Sequence, residues 1–411
     1  MILDTKQYAG LCACGKTHQV ITRLAVVEPG CLADFDAYTN ELGLSGSRTV
    51  IYDENTYHAR GLTHPAAAQE IVLPQKDLRA DERTVARVLD TLHAGTELLV
   101  AVGGGTVHDI ARHCAHALEI PFVACPTAAS TDGYASAFYG PSLSAMPSLI
   151  LCDVNVLAGA PSRLSAAGLG VALGKFTALA DWRVANLLTG ETLCPVAEAM
   201  MLQAAVAAQG CGPALKKNDP STVTQLMYSL LLSGLASQVS LSSRPVLGAA
   251  EHFAHMVAAW PDAPAFHFAG ELAGMSAVTV TQLYRRMADV DNIAPYLKAF
   301  RPTKDDSATS WPFDPALLEA KWEPIRRILW LLPEAAELQT ALTLSGAKAT
   351  LQAMGIPDTK TALLLRLMPC VSGSLTLLPL TRALVSRSAT SADVSRTSSR
   401  GKRRTEKAIA R

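Results

Sequence analysis

Residues 98–110 constrain the fold of this chain more than any other stretch. An apolar run typical of a β-strand is followed by three glycines and then by a helical pattern of apolar residues. The glycines are Gly103, Gly104 and Gly105. This order predicts a strand, a tight turn and a helix, in which an anion can approach the backbone and meet the first N–H groups of the helix. Asp109, one turn into that helix, could accept a hydrogen bond from a ribose or nicotinamide group. The spacing differs from the G-x-G-x-x-G fingerprint, so an ordinary strand-to-helix turn is the alternative to a nucleotide site.

A second polar loop, residues 126–136, follows the next predicted strand. Thr127, Ser130 and Ser136 could donate hydrogen bonds to the phosphate or ribose of a cofactor. Asp132 in the same loop could orient a substrate that carries a hydroxyl group.

Asp53 follows the predicted strand 49–52 directly. Ligands of a doubly wound sheet bind beyond the carboxyl ends of its strands, so Asp53 is a candidate for a ribose contact, with a plain turn as the alternative. A carboxylate suits a ribose 2′-hydroxyl and repels a 2′-phosphate, which favours NAD, although the sequence leaves NADP open.

The alternation of strand and helix patterns predicts an α/β fold. We expect residues 1–160 to form an N-terminal doubly wound, mostly parallel nucleotide-binding sheet, and 161–385 to form a C-terminal all-helical domain for substrate and metal. Predicted strands are 19–27, 49–52, 97–102, 121–125 and 148–151. Predicted helices are 29–42, 79–94, 107–118, 163–188, 191–212, 218–238, 248–260, 267–287, 313–330, 334–353 and 359–368, with a loop at 300–312.

Charge argues against a nucleic-acid or membrane partner. The 36 Lys and Arg residues balance 36 Asp and Glu residues, and no apolar run is long enough for a membrane span. Scattered cysteines and the lack of a signal-peptide pattern favour a cytoplasmic location. The basic segment 386–411 is predicted to be a disordered, solvated tail, with an anionic partner as the alternative. The sequence leaves a homo-oligomer open.

Two further clusters carry chemistry-bearing side chains. Cys12, Cys14 and His18 suggest zinc, but no second cysteine pair follows at finger or ribbon spacing, so a turn is favoured. Arg244 precedes a predicted helix and could clamp a phosphate, while His255 lies on that helix, one turn after a second histidine.

Together these motifs resemble the sn-glycerol-1-phosphate dehydrogenase family, within the group that contains dehydroquinate synthase and metal-dependent glycerol dehydrogenases. The resemblance spans roughly residues 10–380 and implies an active site between two domains. It implies NAD(P)H-dependent reduction of a small phosphorylated substrate, dihydroxyacetone phosphate, to sn-glycerol 1-phosphate in phospholipid metabolism. The implied cofactor contacts are Gly105, Asp109, Thr127, Ser130 and Ser136, and the implied substrate contacts are Asp132 and His255.

The resemblance also implies a divalent zinc or nickel ion held by one Asp and two His. At these positions the chain departs from the family: Val171 and Ala269 cannot coordinate a metal. The first family histidine aligns with Glu251, and a shift of one residue would bring in His252. His267 lies two residues before Ala269. A rebuilt site of Glu251, His252 and His267 is therefore one hypothesis, and loss of the metal is the other.

Three hypotheses for function remain. The chain is a dehydrogenase of the family, or a metal-free enzyme that keeps the nucleotide and phosphate pockets, or a non-catalytic relative that binds a nucleotide or partner. For the metal-free enzyme, His255 or Lys175 would be the general acid–base.

Overall fold

The structure is a computed structural model that describes residues 1–139, 142–260, 268–299, 313–367 and 374–381. Three predictions fall outside the described residues: the tail at 386–411, the loop at 300–312 and the metal ligand His267.

Every strand of the described residues precedes position 154. The strands are β1 (Ile2–Asp4), β2 (Gly10–Leu11), β3 (Thr17–His18), β4 (Leu24–Glu28), β5 (Arg48–Asp53), β6 (Gln69–Leu73), β7 (Leu98–Gly103), β8 (Phe122–Pro126), β9 (Phe138–Tyr139), β10 (Ser142–Leu143) and β11 (Leu149–Asp153). Seven of them form one sheet in the order β1-β4-β11-β8-β7-β5-β6. Only the edge strand β1 runs antiparallel to its neighbour. The predicted α/β class with a mostly parallel sheet is confirmed.

Helices account for most of the described chain after the sheet. They are α1 (Phe35–Glu41), α2 (Glu54–Tyr57), α3 (Glu82–Thr91), α4 (Gly105–Leu118), α5 (Val154–Gly159), α6 (Ser162–Thr189), α7 (Pro195–Gln209), α8 (Gly212–Leu215), α9 (Pro220–Ser240), α10 (Ala249–Ala258), α11 (Ala269–Ala288), α12 (Ala294–Ala299), α13 (Pro315–Ala320), α14 (Trp322–Trp330), α15 (Ala335–Ser345) and α16 (Asp358–Leu367). Short 3-10 segments are Thr5–Tyr8, Cys31–Asp34 and Asp132–Tyr134. Within the described ranges, no helix combines the length and apolar character that a membrane crossing needs.

The sheet is covered on both faces, because side chains along a strand alternate between its two sides. On β7, Leu99 and Ala101 pack in the core that includes α3 and α4. Leu98, Val100 and Val102 pack in the opposite core, with residues of α1. Both faces of β7 are buried, as its continuous apolar sequence predicts for a central parallel strand.

Two differences from the predicted elements have local causes. The edge strand β6 was not predicted, because only Ile71 and Leu73 of its five residues are buried and the hydrophobic signal is short. The predicted helix 334–353 ends at Ser345, since Gly346 takes a left-handed conformation with φ of 89°.

Glycines let the backbone of the loop after β8 pack directly on helices α6 and α9. A Cβ atom at Gly168 would collide with the carbonyl oxygen of Ala129, and one at Gly234 with that of Asp132. A Cβ atom at Gly170 would likewise collide with the carbonyl oxygen of Gly270 on α11. The loop that follows the sheet is therefore held between helices of the C-terminal region.

Candidate functional site

Three polar loops meet at the carboxyl edge of the sheet, since β5, β7 and β8 are adjacent parallel strands. The loops are bonded to their neighbours. The backbone N–H of Thr127 donates to the carbonyl oxygen of Gly103 at 3.0 Å, and Thr56 Oγ1 donates to the carbonyl oxygen of Val102 at 3.2 Å. The strand order thus brings the glycine turn and the 126–136 loop side by side.

The turn between β7 and α4 has the form of an anion site. A Cβ atom at Gly103 would lie 2.7 Å from Val107 Cγ2, so the close turn requires glycine there. Gly104 precedes the helix with an extended backbone, and no heavy atom lies within 4 Å of where its Cβ would be. Beyond it, α4 begins at Gly105 with backbone N–H groups that have no partner inside the helix. Open space in front of a helix N-terminus suits a pyrophosphate.

Asp109 lies half-buried on α4 near this turn. Burial raises the pKa of its carboxyl group to about 6, against the opposing effect of the Arg112 charge. Among the described residues no hydrogen bond reaches this carboxylate, which leaves it available to a ligand.

Replacing Asp109 with asparagine should flatten the dependence of stability on pH. The folded protein keeps the Asp109 proton up to about pH 6, whereas the unfolded chain loses it near pH 4, so stability falls as the pH rises through that window. We expect Asp109→Asn to remove a fall of about 3 kcal/mol, measured by urea unfolding between about pH 4 and pH 7. Asp90→Asn, at an exposed position of α3, is the control and should leave the curve unchanged.

Arg112, which the sequence analysis did not single out, joins α4 to the 126–136 loop. Its buried guanidinium donates to the carbonyl oxygen of Ser136 at 2.6 Å and to that of Gly133. Arg112 lies away from the apolar face of the predicted helix, so no local pattern indicates that its charge is buried and needs partners inside the fold.

Two of the predicted cofactor contacts have internal roles. Asp53 Oδ1 accepts from the backbone N–H groups of Asn55 and Thr56 at 2.9 and 3.0 Å, and so caps α2. Its ribose contact stays a prediction. Ser136 Oγ is buried, accepts from the N–H of Phe138 at 3.0 Å and lies 3.3 Å from Ser237 Oγ on α9. A bond from Ser136 to a cofactor would have to replace these bonds, so we do not assign Ser136 to the cofactor site.

Thr127 and Ser130 keep their predicted place in the loop beside the glycine turn. Thr127 is buried where its N–H meets β7. Ser130 is partly exposed, and its Oγ lies 2.8 Å from the hydroxyl oxygen of Tyr134. Their contact with a cofactor remains a prediction.

A buried ammonium group lies between two carboxylates at the inner end of this loop. Lys175 Nζ on α6 is 3.0 Å from Asp132 Oδ2 and donates to Glu251 Oε1 on α10 at 2.9 Å. It also donates to the carbonyl oxygen of Val246 at 3.1 Å. The side chain of Lys175 is 1% exposed. Lys175, Asp132 and Glu251 are called the lysine triad below.

Hydrogen bonds fix the two carboxylates of the lysine triad. Ser233 Oγ on α9 donates to Asp132 Oδ2 at 3.2 Å, and the N–H of Gly248 donates to Glu251 Oε2 at 3.0 Å. The triad therefore connects α6, α9 and α10 to the 126–136 loop, which makes the position of Asp132 depend on all three helices.

Charge interactions keep Lys175 protonated. Burial lowers the pKa of Lys175, but the charges of Asp132 and Glu251 outweigh it and raise that pKa above its ordinary value. Burial raises the pKa of Glu251, and the Lys175 charge outweighs it in turn, so the net shift is downward. A group that holds its proton so tightly exchanges it poorly near neutral pH, so we do not assign Lys175 as the general acid–base.

The described residues do not fit the divalent metal that the family implies. Val171 lies one turn before Lys175 on α6 and offers no ligand atom, and Ala269 begins α11. The oxygens of Glu251 already accept from Lys175 and from the backbone N–H of Gly248, so a metal ion there would have to displace these bonds. Among the predicted ligands in the described ranges, only His252 has a free nitrogen: its Nδ1 is buried without a partner, and burial lowers the pKa of the ring.

Arg244 and His255 occupy different surroundings from those predicted. The guanidinium of Arg244 is buried, with Nε donating to Glu191 Oε1 at 2.7 Å and Nη1 donating to the carbonyl oxygen of Leu375 at 2.6 Å. Its second Nη atom also pairs with Glu191, so a phosphate clamp would have to replace these bonds and we do not assign one to Arg244. His255 is exposed on α10, whereas His252, on the same helix, is buried.

Comparison with known proteins agrees with this architecture. Residues 26–161 match the family described as iron-containing alcohol dehydrogenase. A glycerol-1-phosphate dehydrogenase [NAD(P)+] from Bacillus licheniformis is 32% identical over 310 residues, which cover 70% of this chain and 77% of that protein.

Solved structures share the fold at low sequence identity. A probable glycerol dehydrogenase from Sinorhizobium meliloti is 17% identical, with a TM-score of 0.60 over 88% of this chain and 95% of that one. A sulfoacetaldehyde reductase from Bifidobacterium kashiwanohense in complex with NAD+ is 13% identical, with a TM-score of 0.57 over 91% and 99%. The fold is therefore that of these dehydrogenases and reductases, and by sequence identity and coverage the chain belongs to the glycerol-1-phosphate dehydrogenase family.

Proposed function

We propose that this protein is an NAD(P)-dependent oxidoreductase that interconverts dihydroxyacetone phosphate and sn-glycerol 1-phosphate by hydride transfer. One observation carries the proposal: the glycine turn lies beside the loop that contains Asp132. The turn is open at Gly104, and its Gly103 carbonyl oxygen accepts a hydrogen bond from Thr127 of the 126–136 loop. Asp132 in that loop belongs to the lysine triad. The names of the curated relatives support the same substrate and cofactor.

The cofactor is proposed to lie across the glycine turn. Its pyrophosphate would meet the N-terminus of α4 at Gly104 and Gly105, with Asp109 free to accept a hydrogen bond from the ribose or nicotinamide. Asp53 favours NAD over NADP in this arrangement. On this view residues 1–160 form the cofactor domain and 161–385 the substrate domain.

Asp132 is proposed to orient the substrate, with Lys175 as a positioning residue. The Lys175 ammonium is too deeply buried to touch a substrate, but its contact with Asp132 Oδ2 at 3.0 Å holds that carboxylate in place. A fixed carboxylate accepts hydrogen bonds from substrate hydroxyl groups without reorganising. His255, exposed on α10, remains the proposed substrate contact and proton donor.

Turnover is expected to need no catalytic divalent ion. The test is oxidation of NADH and NADPH with dihydroxyacetone phosphate, before and after treatment with a chelator, with thermal melting followed in the same samples. Turnover that persists in folded, metal-depleted protein supports the proposal. Turnover that returns only when zinc or nickel is added to folded protein would show that the family's metal is used after all.

A second candidate is a relative that binds the nucleotide without dehydrogenase activity. Two observations favour it: Val171 occupies the family's Asp position, and the Lys175 ammonium group pairs with Glu251. In metal-dependent relatives a metal cation polarises the carbonyl group of the substrate, and these two positions do not supply the ligands for one. NADH binding by calorimetry without turnover would select this candidate, whereas turnover excludes it.

A further inference from the structure

Four potential metal ligands come together outside the lysine triad. Cys12, Cys14 and His18 lie on the β2–β3 hairpin, and Cys194 lies between α6 and α7. Their ligand atoms all lie within 4.8 Å of one another, and they form the only such His, Cys and acidic group found in the part of the chain that the structure describes. These four residues are called the cysteine cluster below.

We propose that the cysteine cluster is a structural zinc site with three thiolates and one imidazole. Zinc–sulfur bonds of about 2.3 Å and zinc–nitrogen bonds of about 2.0–2.1 Å in a tetrahedron place two sulfurs roughly 3.8 Å apart, and a sulfur and a nitrogen roughly 3.5 Å apart. The Sγ atoms of Cys12 and Cys194 are 4.0 Å apart. His18 Nε2 lies 3.4 Å from Cys14 Sγ and 3.3 Å from Cys194 Sγ.

Backbone hydrogen bonds of the hairpin hold its ligands in place. The N–H of Cys12 donates to the carbonyl oxygen of Lys16, and the N–H of Gly15 donates to that of Cys12, both at 3.0 Å. Gly15 has φ of 82°, which glycine adopts at little cost. This tight turn holds both hairpin thiols within 4.8 Å of the His18 ligand atom, so only a small contraction is needed to close on an ion.

Cys194 is held equally firmly on the other side. It caps the 15-residue helix α7, and its Sγ accepts from the N–H of Ala197 at 3.5 Å. Trp182 Nε1 on α6 donates to the carbonyl oxygen of Thr192 at 3.2 Å, which fixes the connection two residues before Cys194.

Four protein ligands leave no open coordination position, so the ion would be structural. It would join the N-terminal hairpin to the connection between α6 and α7, 176 residues beyond His18. A disulfide is the competing use of the same thiols, but the 4.0 Å between the Cys12 and Cys194 sulfurs is about twice a disulfide bond length.

The metal content of the full chain, expressed without a polyhistidine tag and purified in reductant, tests the proposal. We expect about one zinc per chain, and Cys194→Ala and Cys12→Ala to lose it. Cys211→Ala, which removes another buried cysteine at the end of α7, is the matched control and should keep the zinc. Zinc retained in Cys194→Ala, or zinc lost in the control, would overturn the assignment.

Spectroscopy of the wild-type protein covers the case in which the variants do not fold. Cobalt in place of zinc should give thiolate charge-transfer absorption and the visible bands of tetrahedral coordination. X-ray absorption should give three sulfurs at about 2.3 Å and one nitrogen at about 2.0–2.1 Å. Only nitrogen and oxygen ligands, or a Cys12–Cys194 disulfide found by mass spectrometry of metal-free protein, would refute the site. None of these measurements depends on enzymatic activity, so they stand apart from the dehydrogenase assay.

Discussion

Replacing Lys175 with methionine is expected to cost about 3–5 kcal/mol of unfolding free energy near neutral pH. The ammonium is 1% exposed and neutralises two carboxylates that are themselves nearly buried. Methionine fills similar space but leaves Asp132 and Glu251 as neighbouring buried charges without a partner. Urea unfolding measures the loss, and dihydroxyacetone phosphate reduction should fall with it, because Asp132 loses its fixed position.

The pH dependence of that loss identifies its cause. In the wild type the lowered pKa of Glu251 contributes stability that is present above the unfolded value near pH 4 and disappears as the pH falls through the folded value. In Lys175→Met the unpaired carboxyl groups hold protons more tightly, so that variant becomes more stable as the pH falls. The gap between the two proteins should therefore narrow from neutral pH toward about pH 4.

Two further variants serve as controls. Lys175→Met with Glu251→Gln removes one of the two charges left by the single change and should recover part of the stability. Lys217→Met, at an exposed position, should change stability by less than about 0.5 kcal/mol. A loss in Lys175→Met as small as in this control would mean that the buried ion pairs do not form.

Replacing Gly104 with aspartate is expected to abolish useful cofactor binding while leaving the fold intact. Its backbone has φ of −79°, which any residue adopts, and its Cβ meets open space. Aspartate is also a favoured residue at the position before a helix, where it exceeds glycine by roughly a few tenths of a kcal/mol, so stability should hold or rise slightly. The carboxylate would stand where we propose that the pyrophosphate binds, and two like charges about 4 Å apart repel by up to about 4 kcal/mol. NADH affinity, measured by fluorescence or calorimetry, should drop by at least about tenfold.

Alanine variants separate the effect of side-chain size on NADH binding from the effect of the added negative charge. Gly104→Ala should weaken NADH binding less than Gly104→Asp, because it adds only a methyl group. Gly210→Ala, which also meets open space but follows α7, should bind NADH as the wild type does. Unchanged NADH affinity in folded Gly104→Asp would remove the glycine turn from the cofactor site.

Local patterns were enough to predict the sheet and the glycine turn. The predicted strand 97–102 and helix 107–118 correspond to β7 and α4. They could be predicted because the apolar run, the glycine turn and the helical periodicity are all local patterns of the sequence. The other central strands were predicted from the same alternation of strand and helix patterns. Edge strand β6 was not predicted, because it is short and buries the side chains of only one face.

The site was harder to predict because its contacts are long-range. Lys175 and Glu251 are 76 residues apart. No local pattern reveals that the Lys175 ammonium group pairs with Glu251, the residue that aligns with the family's first metal-binding histidine. The sequence suggests a phosphate clamp at Arg244, because no local pattern indicates that its guanidinium pairs with Glu191, 53 residues earlier. The cysteine hairpin was interpreted as a turn since the fourth ligand atom comes from Cys194, 182 residues after Cys12.

The glycines of α6 and its neighbours also limit how this scaffold can be diversified. At Gly168, Gly170 and Gly234 the backbone of another segment fills the space where a side chain would begin. Because a Cβ atom at these positions would meet backbone atoms, even alanine is too large. A compensating change of side chain elsewhere cannot restore the fit, since the colliding atoms belong to the backbone. A mutant library aimed at new substrates would therefore keep these three codons fixed and vary the exposed face of α10 around His255 instead.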